Sequence, residues 1–142
     1  MAHVEVSTSS NVDPESAWKT ASDLHRFDEW MTIFAGWRGA VPATINEGVR
    51  VSSLIKVKGF RNVIHWTVTE YDEPTSIRLH GCGRGGIRIA VAVTVTANHP
   101  GSDFHLTADL KGGLLGGPVG RLVARVLRRE IQNSVDNLAA LQ

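Results

Sequence analysis

KGGLLGGPVGRLVARVLRRE, Lys111 to Glu130, is where the chain changes period. Just before it, in SDFHLTADL, the residues Phe104, Leu106, Ala108 and Leu110 alternate, as on a strand with one covered face. From Pro118 onward the apolar residues return every three to four positions. Val119, Leu122, Val123, Val126, Leu127, Ile131, Ser134, Val135 and Leu138 share one helical face, and Arg121, Arg125, Arg128, Arg129, Gln132 and Asp136 the other. A helix is predicted from Pro118 to about Leu141, roughly 36 Å long. Five of the first ten residues of the stretch are glycine, and strand, glycine run and helix in that order also introduce phosphate-binding loops. Here Gly117 is followed by Pro118 and Val119, not by Lys and Ser or Thr, so no side chain reaches a phosphate. A sharp turn back across a sheet explains the glycines better, and Pro118 suits the first turn of the helix.

Working back towards the N-terminus, the alternation repeats. VRVSSLIKV sets Val49, Val51, Ser53, Ile55 and Val57 on one face, and RNVIHWTVTEY sets Ile64, Trp66 and Val68 together. SIRLH and GIRIAVAVTVTAN add Ile77 and Leu79, then Ile87, Ile89, Val91, Val93 and Val95. Five strands with turn signals between them read as an antiparallel meander. Ahead of them HVEVS reads as a first strand. Asp13, Pro14 and Glu15 start a short helix over Pro14 to Ala21, and Ser22 is expected to cap a second one ending near Glu29. A short strand is expected near Trp37. The fold class is α+β: a curved antiparallel sheet wrapped around one long C-terminal helix, with two short helices after the first strand.

The chain has 142 residues, 42% hydrophobic and 20% charged, with a formal net charge of +1. That fits one globular domain over residues 1–142 and gives no bulk electrostatic reason to expect a nucleic-acid partner. The one cysteine, Cys82, excludes an internal disulfide framework and a multi-cysteine zinc site. MAHVEVSTSS has no basic and apolar leader pattern, and no apolar run is long enough to span a bilayer, so the expected location is the cytoplasm.

The motifs that suggest chemistry are weak. Gly81, Gly83 and Gly86 in GCGRGG match a dinucleotide fingerprint, but a strand follows where a helix is required, so a hairpin connection or bulge is expected. The histidines His3, His25, His65, His80, His99 and His105 show no metal-binding spacing, and no metal or cofactor is expected. The arginine stripe of the last helix reads as a solvated face. Glu130 is different, because it falls in the middle of the apolar face. It either reaches the rim or pairs there, or it points into an internal space. Ser53 and Asn62 are in phase with inward residues. Together with Glu130 they describe an apolar pocket with a few polar groups that orient a ligand. Trp30, Phe34 and Trp37 would rim that pocket or belong to the ordinary core.

VDPESAWKTASDLHRFDEW resembles the entry motif of the START/Bet v 1-like (SRPBCC) superfamily, which includes the polyketide cyclase/dehydrase proteins, at Asp13, Trp18, Asp23, Phe27 and Trp30. More narrowly, ASDLHRFDEWMTI, VKGF followed by RNVIHWTV, and GGLLGGPVGRLVARVLRREIQNS are similar to mycobacterial members known as the toxin of a toxin–antitoxin pair. The resemblance implies a helix-grip fold with a deep cavity that binds a hydrophobic small molecule such as a lipid, sterol or polyketide. Walls are expected from Val51, Ile64, Trp66, Leu79, Val91, Phe104, Leu106, Val123, Val126 and Leu127, with Trp30 and Trp37 at the rim. Ser53, Asn62 and Glu130 supply polar groups. If the protein is a cyclase or dehydratase, only Glu130, Asn62, Ser53 and Arg38 are available for proton transfer, with Glu130 the sole strong candidate. If it is a toxin, a protein antitoxin is the partner. Monomer and dimer are both open.

Overall fold

The computed structural model describes residues 2–42, 45–57, 60–72, 75–99, 101–112 and 117–141. Strand β1 (Ala2–Ser10) is followed by helix α1 (Pro14–Ala21), a single 3-10 turn (Leu24–Arg26) and the one-turn helix α2 (Phe27–Trp30). Strands β2 (Phe34–Arg38), β3 (Arg50–Val57), β4 (Phe60–Asp72), β5 (Ser76–Gly83), β6 (Ile87–Asn98) and β7 (Gly101–Lys111) come next, and helix α3 (Gly117–Ala140) closes the order. The strands form one curved antiparallel sheet in the order β1-β7-β6-β5-β4-β3-β2, with α3 packed against it. This is the curved sheet around one long helix expected from the change of period at Lys111 to Glu130, and the helix-grip fold that the family resemblance implies.

Local chemistry sets the helix starts. Asp13 caps α1, its carboxylate accepting a hydrogen bond from Ser16 N at 3.2 Å, and Pro14 occupies the first turn. The second cap lies one residue later than expected. Ser22 ends α1, and the Asp23 carboxylate accepts from His25 N at 3.0 Å. In the turn before α3, Gly112 has φ +85°, a conformation that glycine adopts at little cost. Residues 113–116 lie outside the described residues, as do 58–59 of the expected KGF turn.

Register puts the alternating apolar residues on one concave face. A single row runs from Val51 to Trp66, Gly81, Ile89 and Leu110 across five strands. The glycines of GCGRGG divide into two groups along this sheet. Gly81 and Gly83 are strand residues of β5, not part of a connection, while Gly85 and Gly86 make the turn with φ +79° and +72°. A Cβ at Gly81 would stand 2.7 Å from Ile64 Cγ2 and 2.8 Å from Trp66 Cε3. The glycine is there because a large aromatic and a β-branched neighbour lean across it, so the fingerprint match has a steric origin. Gly81→Ala should therefore lower stability by about 1–3 kcal/mol, seen as a lower urea midpoint with an unchanged slope.

Helix α3 holds the β1 side of the sheet. Leu127 and Val135 join Val4, Val6, Leu106, Ala108 and Leu110 in one core cluster. Leu138 belongs to a second cluster with Trp18, Trp30, Val68 and Phe104. Gln132 Nε2 donates to Ser7 O at 3.1 Å, occupying a carbonyl on the edge strand. Leu122, placed on the apolar face by periodicity, is 61% exposed.

The outer face of β1 and β7 carries a charged ladder. His3 lies opposite Asp109, with Nδ1 2.6 Å from the carboxylate, and His3 and His105 both approach Glu5, at 3.6 and 3.1 Å. The Asp109 hydrogen bond, followed by that of Glu5, raises the His3 pKa above its ordinary value. A raised folded-state value means that the stabilisation is complete below the unfolded pKa of about 6.5. It fades as pH rises through the folded value. The stability difference between wild type and His3→Gln should be largest just below neutrality and vanish in mild alkali, as a pH series of urea midpoints will show.

Candidate ligand-binding cavity

Between the concave face of the sheet and the helices lies a cavity of about 130 Å³. At roughly 10–15 Å³ per water-sized sphere, it holds on the order of ten such spheres, or about 300 Å³ of liquid. That is the low end of small-molecule sites. The sheet supplies Val51, Ser53 and Ile55 of β3, Trp66 of β4, Ile77 and Leu79 of β5, Val91 and Val93 of β6, and Phe104 and Leu106 of β7. The opposite wall comes from Trp18 and Ala21 of α1, Ser22, Leu24, the α2 region with Phe27, Trp30 and Met31, and Phe34 and Trp37 of β2. Ile45 and the C-terminal half of α3, through Val135 and Leu138, complete it. No charged side chain is among these lining residues, and all four tryptophans of the chain are.

The aromatic side of the cavity is a packed unit. Phe27 lies 5.2 Å from Trp30 and 5.4 Å from Trp37 between ring centroids, and Phe34 lies 4.9 Å from Trp37. Such edge and tilted contacts add to burial alone. Three indole N–H groups are held by the protein. Trp18 donates to Tyr71 Oη at 3.2 Å, Trp37 to Leu24 O at 2.9 Å and Trp66 to Ser53 Oγ at 2.9 Å. Ser53 is thus turned to the interior as its strand phase requires, and it receives the Trp66 proton.

The residues expected to form the site divide into two groups. Trp30, Trp37, Val51, Ser53, Trp66, Leu79, Val91, Phe104 and Leu106 all line the cavity. Asn62, Ile64, Val126, Leu127 and Glu130 are not on the lining. The Val123 side chain lies outside the described residues. Asn62 instead clasps the β5–β6 turn, its Oδ1 accepting from Arg84 N at 3.1 Å and its Nδ2 donating to Arg84 O at 3.3 Å. Ile64 is buried beneath Gly81 and Gly83. Leu127 is core against β1 and β7, and Arg38 is exposed.

Glu130 takes part in a staple between α3 and the segment after α2. Its carboxylate accepts from Thr32 Oγ1 at 2.8 Å, and its backbone carbonyl accepts from Ser134 Oγ at 2.9 Å. Thr32 N donates to Ser134 Oγ at 3.0 Å, and Asn137 Nδ2 donates to Trp30 O at 3.3 Å. These bonds tie α3 to the chain on both sides of Met31, beside the aromatic wall of the cavity. Among the described residues no group of three or more His, Cys, Asp or Glu is arranged to hold a metal ion.

The whole chain, residues 1–142, matches the family model described as polyketide cyclase / dehydrase and lipid transport. The chain belongs to that family. A Mycobacterium tuberculosis protein named Toxin Rv0910 is 38% identical over 110 residues, 75% of this chain and 76% of the relative. Another protein of that organism, named Uncharacterized protein Rv1546, is 35% identical over 115 residues, 81% of this chain and 80% of the relative. A START superfamily protein from Mycobacterium smegmatis superposes with a TM-score of 0.80 over 99% of this chain and 96% of its own, at 12% identity, which shows a shared fold. No helix among the described residues is long and apolar enough to cross a membrane.

Five of the lining residues that were not expected as cavity walls share an origin. Trp18, Ala21, Leu24, Phe27 and Met31 sit on or beside two helices too short for periodicity to show which face turns inward. The signal present was aromatic density, with Trp18, Phe27, Trp30, Phe34 and Trp37 within twenty positions. Val135 and Leu138 line the cavity where Val126 and Leu127 were expected; Leu127 packs with the β1 and β7 residues, while Val135 belongs to that cluster and also reaches the cavity.

Proposed function

We propose that this protein binds a compact, neutral, largely apolar small molecule in the cavity between its sheet and helices. The observation that carries the reading is a lining that, among the described residues, combines four tryptophans with aliphatic residues and no charge. A charged ligand group buried there would be left without a partner, at a cost that apolar contacts do not offset. Size narrows the class further. About ten atoms' worth of space suits a mono- or bicyclic molecule, or part of a polyketide. A sterol or long acyl chain requires the walls to move apart. The family description, with its polyketide and lipid terms, supports the same chemistry. Titration calorimetry with tetralin tests it. Saturable binding with a negative heat-capacity change is expected, and absence of heat up to the solubility limit at two well-separated temperatures overturns it.

A second reading rests on the relative that bears the name of a toxin. Under it, expression of this chain arrests growth and a protein antitoxin relieves the arrest. Unimpaired growth at high expression counts against that reading and leaves ligand binding untouched.

A further inference from the structure

The net charge of +1 conceals how the charges are placed. Strand side chains that alternate with the cavity lining face the convex side of the sheet. On that side one register row runs Arg38, Ser52, His65, Cys82, Arg88 and Lys111, from β2 to β7. At about 4.8 Å between strands the row is about 24 Å broad. Towards the β5–β6 turn Lys56 stands directly opposite Arg61, and Arg84 lies in the turn that Asn62 clasps. Arg50 begins the neighbouring row, which ends with Asp109 and His3. All seven of these lysines and arginines are exposed. Among the described residues only Arg26 and Arg78 give an arginine or lysine an ion pair, so all seven lack one. The nearest strand acids, Glu5 and Asp109, are engaged by His3 and His105. Glu70, Asp72 and Asp103 stand at the other end of the face, by the β4–β5 and β6–β7 turns. Like charges directly opposite each other weaken a sheet, yet Lys56 with Arg61 and Arg88 with Lys111 are two such pairs. An anion laid over them removes the repulsion.

We propose that this half of the convex face docks the phosphate backbone of double-stranded RNA, without reading its sequence. The surface lies on the opposite side of the sheet from the cavity and does not depend on it. Composition selects the partner. A protein partner calls for apolar or aromatic anchors at the centre of the patch, and a membrane-surface site for apolar side chains that sink into the lipid. Among the described residues the exposed large hydrophobic is Leu122, on α3. Surfaces that bind nucleic acid are instead polar and strongly positive, with arginine, lysine and hydroxyl groups on the phosphates. Single strands are gripped by stacking on aromatic rings, but the described Phe, Trp and Tyr rings belong to the cavity and its core. That leaves a duplex. A face six strands broad does not enter the major groove of B-DNA, about 12 Å wide, which admits a helix or a two-stranded ribbon. A-form RNA presents a wide, shallow minor groove with 2′-hydroxyls and phosphates, on which a convex surface can seat.

Fluorescence anisotropy with a labelled RNA duplex of about 20 base pairs tests the proposal, at salt from about 50 to 200 mM. Log affinity should fall with log salt at a slope of about −4 to −6, as for five to seven phosphate contacts. The double variant Arg61→Gln, Lys111→Gln should bind at least about tenfold more weakly and with a slope shallower by about two. It removes one member of each like-charge pair, so its urea midpoint should equal or exceed that of wild type, which separates lost binding from lost folding. The double variant Arg125→Gln, Arg128→Gln on α3 should bind within about twofold of wild type, since phosphate contacts elsewhere carry the affinity. A DNA duplex of the same sequence, phosphatidylserine vesicles and polyglutamate should each bind more weakly than the RNA. Absence of RNA binding at about 50 mM salt, an unchanged affinity in the Arg61 and Lys111 variant, or an equal loss in the α3 variant overturns the assignment. So does binding of the DNA, the vesicles or polyglutamate as tightly as the RNA. Each of these failures leaves the cavity reading intact.

Discussion

Leu79→Trp should abolish binding of compact apolar probes while the protein stays folded. Leu79 sits near the middle of β5, opposite Val68 of β4 and Val91 of β6, and its side chain faces the cavity. An indole at this position occupies the space a ligand would take. Overpacking costs about 1–3 kcal/mol, which a domain with roughly 5–15 kcal/mol of stability tolerates. The existing cavity of about 130 Å³ also gives the new ring somewhere to go. Affinity for tetralin should fall at least about a hundredfold, roughly 2.7 kcal/mol. Calorimetric titration measures it, and circular dichroism with a urea melt verifies the fold. A folded variant that binds tetralin as wild type does would place the ligand elsewhere.

Phe104→Ala should produce the largest loss of stability of any single truncation on the cavity wall. Phe104 is 1% exposed and heads the fully buried side chains by size. It opposes Val95 and Thr8 across the sheet and belongs to the core cluster that joins α1, the strands and the end of α3. Removing the ring forfeits its transfer energy and enlarges a cavity whose rigid walls collapse only in part. About 3–5 kcal/mol is expected, observed as a large drop in urea midpoint. Whatever folded protein remains should accept bulkier ligands than wild type, because the lost ring lined the binding space. A loss below about 1 kcal/mol would show that the walls close up freely. The cavity's dimensions would then say little about ligand size.

The sheet was legible because its strands bury one face only. A slip of one residue would turn Val51, Trp66 and Phe104 outward together, so alternation specifies register strongly. The change of period after Lys111 was equally readable, since a long helix must cover such a face. The polar candidates fared differently, for physical reasons. Glu130 falls between apolar neighbours on a helical wheel, but the wheel does not show that the Thr32 segment crosses there and supplies a hydroxyl. Asn62 has the inward phase, yet it sits near the end of its strand, where the β5–β6 turn offers it two backbone partners. The choice of Val135 and Leu138 over Val126 and Leu127 depends on how α3 crosses the β1 edge, a matter of three-dimensional packing. Gly81 and Gly83 resembled a loop because glycine marks both turns and close approaches, and only the neighbouring Ile64 and Trp66 distinguish the two.

The central claim is that this cavity takes an apolar guest, and the most direct test is a proton–nitrogen correlation spectrum recorded during titration with tetralin. All four indole signals come from residues on the lining, so they report occupancy from every side. The account predicts saturable shifts of those four signals, with the amides of His65, His80 and His105 on the outer strand face unmoved. Shifts confined to the outer face, or unmoved indole signals up to the solubility limit of the probe, would contradict it.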